Sequence, residues 1–341
     1  MARVRMRDVA AHAGVSPRTV SNVVNDYVHV SPAMRARVQR SIDELGYKMD
    51  YLARGLKSGR TGFITMVVPY LDEPYFAMLA QAVVRTAADR GIGVLVEMTG
   101  NDPAAEQKIL HGGIPNISDG VLLCHLGHPL DSGSQPPPGF PLVIMGEHCP
   151  GPHLDHVGTD DVAAARAAVQ HLIDSGRRKI IMIGAGIGDS SRLRYDGYRR
   201  ALAAAALEPA GILAPHDREA TRGAGMAEMS SYLDGGAQVP DAIFAYNDAM
   251  AIGAMRSLAE HGLSIPGDVA VVGVDDIAEA AYLTPSLSSI AFDLDGLAGR
   301  ALDLLEEQTR PSGGPRAPRH DFTPFRLVAR ESTDAKARTR P

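Results

Sequence analysis

The chain has 341 residues, of which 45% are hydrophobic and 22% charged, a composition typical of globular proteins with two or three compact units. No segment approaches the roughly 18 consecutive apolar residues that a membrane-spanning helix needs, and the first residues lack the apolar stretch of a secretory signal. Two cysteines cannot form a disulfide framework, so we expect a cytoplasmic protein without membrane contact.

The charge is unevenly distributed along the chain. Residues 1–60 contain eleven Lys and Arg against five Asp and Glu, a net charge of +6, which leaves −12 on the remainder. A basic segment on an acidic protein favours contact between that segment and a polyanion, because Lys and Arg displace condensed counterions from phosphates. On charge alone, a solvated basic arm is an equally weighted alternative.

The basic segment begins with two predicted helices. Apolar residues recur at helical spacing within residues 8–13, and Gly14 follows where a helix end needs a left-handed residue. Ser16 is the predicted N-cap of a second helix, Pro17–Val24, with proline in its first turn. Two helices joined by a short glycine-containing turn form a helix-turn-helix unit, whose second helix enters the major groove of DNA.

A third helix is predicted from Ser31 and Pro32 to about Leu45. The helix carries Arg35, Arg37 and Arg40 away from its buried stripe, and most of these three are expected on a solvated face. The glycine-rich stretch that follows, to about residue 61, is too short to form a stable helix unaided and is predicted to be a linker.

The first 61 residues resemble the head and hinge helix of the LacI/GalR family of bacterial transcription regulators, and the resemblance continues over nearly the whole chain. The motifs that carry the resemblance are Asp8-Val9-Ala10, Ala13-Gly14-Val15-Ser16, Thr19-Val20-Ser21, Val24-Asn25, Val30-Ser31, Arg37-Val38, Leu45-Gly46-Tyr47 and Ala53-Arg54-Gly55-Leu56. The resemblance implies a homodimer on double-stranded, pseudo-palindromic operator DNA, with Leu56 as a wedge in the minor groove.

The resemblance also implies which residues contact DNA. The base-reading positions fall on Pro17, Arg18 and Asn22, and arginine suits guanine whereas asparagine suits adenine. The full expected set is Ser16, Pro17, Arg18, Thr19, Ser21, Asn22, Asn25, His29, Leu56 and Lys57. The chain departs from the family at Asn22, where arginine or histidine is more common, and at Arg5, where a helix-capping threonine is usual.

From residue 62 the pattern changes to apolar strands that alternate with helices, as in Phe63–Val68, Gly93–Met98 and Lys179–Gly184. Such runs predict parallel sheets covered by helices on both faces. Two successive units of this kind predict a fold of an all-α helix-turn-helix head and an α/β two-lobed, periplasmic-binding-protein-like core with two doubly wound parallel sheets. Ligands bind such sheets at the carboxyl ends of their strands.

Polar residues follow several predicted strands. For an isolated pair such as Asn247-Asp248, helix capping is favoured over ligand binding by about two to one. The segments Arg194-x-x-Gly197-Tyr198, Asn247-Asp248-x-Met250-Ala251-x-Gly253 and Val272–Asp276 resemble three signatures of the family's second lobe. The resemblance implies effector contacts from Arg194, Asn247 and Asp275, a donor and acceptor set that suits a sugar.

The first lobe supplies further candidates for the effector site. Tyr70, Asp72 and Tyr75 follow the first strand. For Phe76, core packing and ligand contact are about equally favoured. Glu147 is a weaker candidate. The expected effector is a sugar, with a nucleobase or nucleoside as the alternative and a binding protein without DNA function as a remote one.

The predicted domain limits follow from the same patterns and resemblance. They are 1–47 for the head, 48–61 for the hinge, 62–158 with 290–320 for the first lobe, 159–289 with 321–333 for the second lobe, and 334–341 for a tail.

Four other functions are less well supported by the sequence. The glycines of Ile183–Asp189 do not match a dinucleotide loop, because the third glycine is one position early. Cysteines and histidines within residues 124–156 match no zinc spacing, and no catalytic triad motif is present. A secreted binding protein would need an export signal and no head. We therefore expect neither cofactor, metal nor enzymatic activity.

Overall fold

The computed structural model describes residues 4–24, 27–47, 60–114, 118–125, 136–137, 139–146, 151, 153–215, 220–309 and 317–334. The chain divides into two compact units, the head (Met1–Thr61) and the core (Gly62–Pro341). Within the described residues, no helix has the length and apolar character required to cross a membrane.

The head is built from three helices. They are α1 (Met6–Ala13), α2 (Pro17–Val24) and α3 (Pro32–Leu45). Val9, Val20 and Val38 contribute one fully buried side chain from each helix to a small common core. The first helix begins at Met6, two residues before the first motif residue, because the Asp8 carboxylate accepts a hydrogen bond from the Arg5 N–H at 2.8 Å and closes the first turn.

Arg35 on α3 joins the second and third helices. Its guanidinium donates to the carbonyl oxygens of Val23 at 3.3 Å and Tyr27 at 3.2 Å, at the end of α2. The Val23 carbonyl lies in the last turn of α2, where a cation stabilises the negative end of the helix dipole, and the Tyr27 carbonyl lies in the turn that follows. Arg35 is therefore a structural contact of the head and not a member of the solvated face.

The core contains two six-stranded sheets covered by helices. The strands of the first sheet run in the order β11-β5-β4-β3-β1-β2, and those of the second in the order β12-β10-β9-β8-β6-β7. The strands are β1 (Phe63–Val68), β2 (Gly93–Met98), β3 (Val121–Cys124), β4 (Leu142–Met145), β5 (Asp155–Thr159), β6 (Ile180–Ile183), β7 (Gly211–Leu213), β8 (Ala242–Ala245), β9 (Ala270–Val274), β10 (Ser288–Phe292), β11 (His320–Thr323) and β12 (Phe325–Val328).

Both sheets are mostly parallel, as predicted, and the exception is the edge strand β12, which runs antiparallel to β10. The helices of the core are α4 (Pro74–Asp89), α5 (Pro103–Leu110), α6 (Asp161–Asp174), α7 (Asp189–Ala204), α8 (Arg222–Asp234), α9 (Asp248–Glu260) and α10 (Leu294–Thr309). Helices α4 and α10 pack on one face of the first sheet, while α6 and α7 pack on one face of the second and α8 and α9 on the other.

The chain crosses between the lobes more than once. Strand β5 ends in the first sheet at Thr159, β10 ends in the second at Phe292, and β11 ends in the first at Thr323. The chain thus changes sheet after each of these three strands, and the exact domain limits at 158, 289 and 320 stay predictions.

Helices α6 and α7 approach each other closely at Gly197. A Cβ at this position would lie 2.4 Å from the Val162 carbonyl oxygen and 2.8 Å from the Ala165 Cβ. Backbone atoms cannot give way to such an overlap without a shift of one helix. The glycine of the motif Arg194-x-x-Gly197 therefore fixes the spacing of the two helices.

We predict that Gly197→Ala destabilises the core by about 1–3 kcal/mol through this overlap. The matched control is Gly299→Ala in α10, where a Cβ would meet nothing within 4 Å. Alanine is favoured over glycine within a helix, so the control should gain about 0.5–1 kcal/mol. Urea denaturation followed by circular dichroism measures both; equal effects at the two sites would contradict the assigned role of Gly197.

Candidate functional site

The predicted recognition helix is α2, and its polar side chains are accessible. The Ser16 hydroxyl accepts a hydrogen bond from the Thr19 N–H at 3.1 Å, as expected of an N-cap. Pro17 and Arg18 are exposed at the first turn, which is the end that a helix-turn-helix unit presents to base edges. Because Val20 is fully buried, the helix is held by its apolar side and its outer side remains available.

The remaining predicted DNA contacts differ in how far the structure describes them. Thr19, Ser21 and Asn22 are partly exposed on α2. His29 is exposed in the turn after α2, where its ring packs edge-on against Tyr27 with 5.3 Å between centroids. The other predicted contacts, together with the hinge segment 48–59, lie outside the described residues, namely Asn25, Leu56 and Lys57.

Arg194 in the core is buried and paired. Its Nε donates to the Asp161 carboxylate at 2.5 Å, and one terminal nitrogen donates to the Tyr246 carbonyl oxygen at 2.6 Å. Its guanidinium also lies 4.6 Å from the ring centroid of Tyr246 and 5.9 Å from that of Phe292. Asp161 therefore balances the charge of Arg194, and two aromatic faces enclose it.

Asn247 serves its own helix and also contacts the first lobe. Its side-chain oxygen accepts from the Met250 N–H at 2.9 Å, which caps α9. Its amide nitrogen donates to the Ala220 carbonyl oxygen at 3.0 Å and to the Glu73 carboxylate of the first lobe at 3.4 Å. The capping alternative raised for this residue is thus present in the structure, together with a contact that connects the two lobes.

The first-lobe candidates occupy different environments. Phe76 is 6% exposed and belongs to the core, so packing accounts for it. Tyr75 is partly exposed and packs edge-on against Phe292 of the second lobe, with 6.1 Å between ring centroids. Tyr70 is partly exposed and Asp72 is exposed, after the end of β1. Glu147 lies outside the described residues.

Asp275 follows β9 directly, and its side chain is largely buried. Three neighbouring strands of the second sheet lead to the three candidates. Asn247 follows β8, Asp275 follows β9, and Arg194 lies in the helix that follows β6. Four residues of this region were not predicted, namely Glu73, Asp161, Tyr246 and Phe292. Only Tyr246 and Phe292 carried a signal, as aromatic residues at the ends of apolar strands.

The cysteine and histidine segment forms no metal site in the part of the chain that the structure describes. His125 instead pairs with the Glu106 carboxylate at 2.7 Å, and both side chains are fully buried. His128, His148 and Cys149 lie outside the described residues.

Asp248, next to Asn247, is completely buried at the start of α9. Its carboxylate accepts hydrogen bonds from the Ile277 N–H at 2.9 Å and the Ser289 hydroxyl at 2.6 Å. Burial raises the pKa of Asp248 to about 7, although these two hydrogen bonds act in the opposite direction.

Fold and site together define a class of protein. A helix-turn-helix head and a two-lobed core with polar residues at the strand ends are the parts of a ligand-responsive DNA-binding protein. Comparison with known proteins agrees: a family model described as "Bacterial regulatory proteins, lacI family" matches residues 5–50, and one described as "Periplasmic binding protein-like domain" matches residues 169–333.

Individual proteins match over almost the whole chain. The ribose operon repressor of Escherichia coli (strain K12) is 34% identical over 309 residues, which cover 88% of this chain and 91% of that protein. The structure of the transcriptional regulator CelR in complex with cellobiose is 30% identical, with a TM-score of 0.68 over 97% of this chain and 100% of that one. The lac repressor dimer bound to operator and the anti-inducer ONPF is 26% identical, with a TM-score of 0.80 over 97% and 99%.

The chain therefore belongs to the LacI family and is a DNA-binding transcriptional regulator with a domain for a small-molecule effector.

We predict that the stability of the core depends on pH through Asp248. A carboxyl group whose pKa is raised in the folded state stabilises the fold fully below its unfolded value, near 3.8, and this contribution is lost as the pH rises to about 7. Asp248→Asn carries no charge, so it should gain about 2–3 kcal/mol relative to the unsubstituted protein between pH 5 and pH 8.

Urea denaturation at several pH values measures this difference. The control is Asp196→Asn, a partly exposed carboxyl on α7 that pairs with Arg200, measured in parallel. A constant difference between the Asp248→Asn variant and the unsubstituted protein across this range would refute the prediction.

Proposed function

We propose that the protein is a homodimeric repressor that binds a pseudo-palindromic operator and responds to an uncharged polyhydroxy effector, a sugar, held between the lobes. The observation that carries the proposal is the arrangement around Arg194, which is buried, paired with Asp161 and enclosed by two aromatic rings. A sugar presents both hydroxyl groups and apolar ring faces, which polar forks and aromatic side chains bind together.

The charges around the proposed site favour a neutral ligand. Asp161 balances Arg194, while Glu73 and Asp275 add carboxylates at the strand ends. A phosphorylated ligand would meet these carboxylates, which repel its negative charge. The relatives point in the same direction, since one is a ribose operon repressor and another was crystallised with cellobiose.

The proposed DNA contacts are the exposed and partly exposed residues of α2, with Arg18 and Asn22 as the base-reading pair. The lac repressor in the comparison is a dimer bound to operator, and this supports the same assembly here. On the core, Val96 and Met98 project from the edge strand β2 and are 42% and 56% exposed, which suits a surface that a second copy covers. We further propose a cytoplasmic protein without enzymatic activity.

Effector binding and DNA binding are proposed to be coupled through the segment between head and core. An effector that changes the relative position of the lobes changes the separation of the two hinge segments in a dimer. Such coupling amounts to roughly 1–3 kcal/mol and acts equally in both directions, so operator must also change the affinity for the effector.

We predict that one member of a panel of sugars, nucleosides and sugar phosphates raises the melting temperature of the protein, and that this ligand is an uncharged sugar. Arg194→Lys should keep the charge but lose the planar guanidinium that Tyr246 and Phe292 enclose, which weakens binding at least about tenfold. Arg192→Lys, on the exposed side of the same helix, is the matched control and should bind like the unsubstituted protein.

Thermal shift followed by calorimetric titration provides both measurements. A shift with nucleosides alone would favour the nucleobase alternative. A response to sugar phosphates alone would overturn the proposed ligand class.

We predict that Asn22→Ala relaxes the base preference at one position of each half-site, with a loss of about 1–3 kcal/mol for the preferred operator. Fluorescence anisotropy with half-site variants at fixed salt measures this preference. The control is Gln39→Ala on α3, an exposed amide that contacts Asp43 within its own helix. An unchanged preference across all half-site variants would remove Asn22 from the base-reading set.

A further inference from the structure

The turn that carries Asp275 has an unfavourable backbone conformation. Asp275 has a φ of 109° and Asp276 a φ of 52°, so two successive residues with a Cβ adopt positive φ. Such conformations persist only where surrounding interactions hold them, and they concentrate at functional sites.

Asp248 reaches the turn at two successive amides. Its Oδ2 accepts directly from the Ile277 N–H at 2.9 Å. Its Oδ1 accepts from the Ser289 hydroxyl at 2.6 Å, and the Ser289 oxygen in turn accepts from the Asp276 N–H at 3.0 Å. One buried carboxylate thus fixes the backbone on the carboxyl side of Asp275, once directly and once through a serine.

The neighbouring strand leaves room for this carboxylate. A Cβ at Gly273 on β9 would lie 2.1 Å from the Asp248 Oδ1. Any larger residue at this position would therefore displace the carboxylate from its place beside the turn. The glycine that precedes Asp275 by two residues and the aspartate that follows Asn247 thus belong to one arrangement.

The charged groups nearest to this arrangement act on a different part of the turn. Arg330 contacts the Asp276 carboxylate at 2.7 Å, and Arg326 lies 3.9 Å from it. Arg326 lies in β12 and Arg330 two residues after it, and both face the side chain of Asp276. The backbone amides of the turn, in contrast, are held by Asp248 and Ser289.

We infer that Asp248 is a positioning residue of the effector site, which acts by holding the backbone amides of Asp276 and Ile277 so that Asp275 and Asp276 keep their positive φ and Asp275 is oriented. The inference rests on the proposed function in one respect, namely that Asp275 contacts the effector. The hydrogen bonds of Asp248 to the turn do not depend on that assignment.

Hydrogen–deuterium exchange of the full-length protein, with fragments that resolve single amides, tests this role. In Asp248→Ala both amides of the turn should exchange at least about tenfold faster, because the buried side-chain acceptor that holds them is lost. Asp248→Asn keeps one accepting oxygen and should preserve part of the protection. Ser289→Ala should accelerate the Asp276 amide more than the Ile277 amide.

The internal control is the Tyr246 amide, which donates to the Ile183 carbonyl oxygen at 2.8 Å in the same lobe. It should exchange equally in all variants. Faster exchange throughout the second lobe, or unchanged exchange at Ile277 in both Asp248 variants, would overturn the inference. If Asp248→Ala does not fold, the exchange rates of the Asp276 and Ile277 amides are compared between Asp248→Asn and Ser289→Ala, and this comparison tests the role of Asp248.

Calorimetric titration with D-ribose and cellobiose as probes separates the two hypotheses. Where a probe binds the unsubstituted protein, Asp248→Asn should bind it several-fold more weakly, and undiminished affinity would contradict the positioning role. If neither probe nor any other panel member binds, the proposed effector class fails, while the exchange measurements still decide the role of Asp248 in the turn.

Discussion

The ion pair between Arg194 and Asp161 is the interaction on which the proposed effector site depends. Two charges removed from water are costly unless each balances the other at close range with good geometry. Here the pair closes only because α6 and α7 lie close together. Arg194 and Gly197 are three residues apart and share a face of α7, and the atoms that approach Gly197 belong to Val162 and Ala165, in the first turns of the helix that begins at Asp161. The spacing of the motif is therefore a packing requirement as much as a chemical one.

The head was the part most readily predicted, because its structure is encoded by local signals. Ser16 and Ser31 cap the helices that they were expected to cap, and Gly14 adopts the left-handed conformation with a φ of 63°. The contribution of Arg35 could not be predicted, since its partners belong to the preceding helix and turn. A helix cap can be predicted from residues that are neighbours in the sequence, whereas a contact between helices depends on how the helices pack.

In the core, apolar runs predicted the strands that are buried on both sides of a sheet, but they did not mark the more polar strands or those at a sheet edge. Strand β5, Asp-His-Val-Gly-Thr, is buried despite its polar composition, and β12 pairs antiparallel at the edge of its sheet. Neither has a run of apolar residues that marks a central parallel strand. The same limit explains why Asp161 and Glu73 were missed, because each looks like an ordinary helix-start residue until the fold brings it to its partner.

The two interpretations of Asn247, helix cap and ligand contact, are not exclusive, because an amide has an oxygen and a nitrogen. The oxygen caps α9 and the nitrogen faces Ala220 and Glu73. Arg194 and Asp248 also combine two roles. Both lie near the strand ends, and each makes a hydrogen bond to the backbone, Arg194 to the Tyr246 carbonyl oxygen and Asp248 to the Ile277 N–H. Many polar side chains at the strand ends of the second lobe therefore make hydrogen bonds that stabilise the lobe itself. We propose that selection between related ligands falls to the more accessible candidate side chains of the first lobe, Tyr70, Asp72 and Tyr75, which can change without disturbing a core.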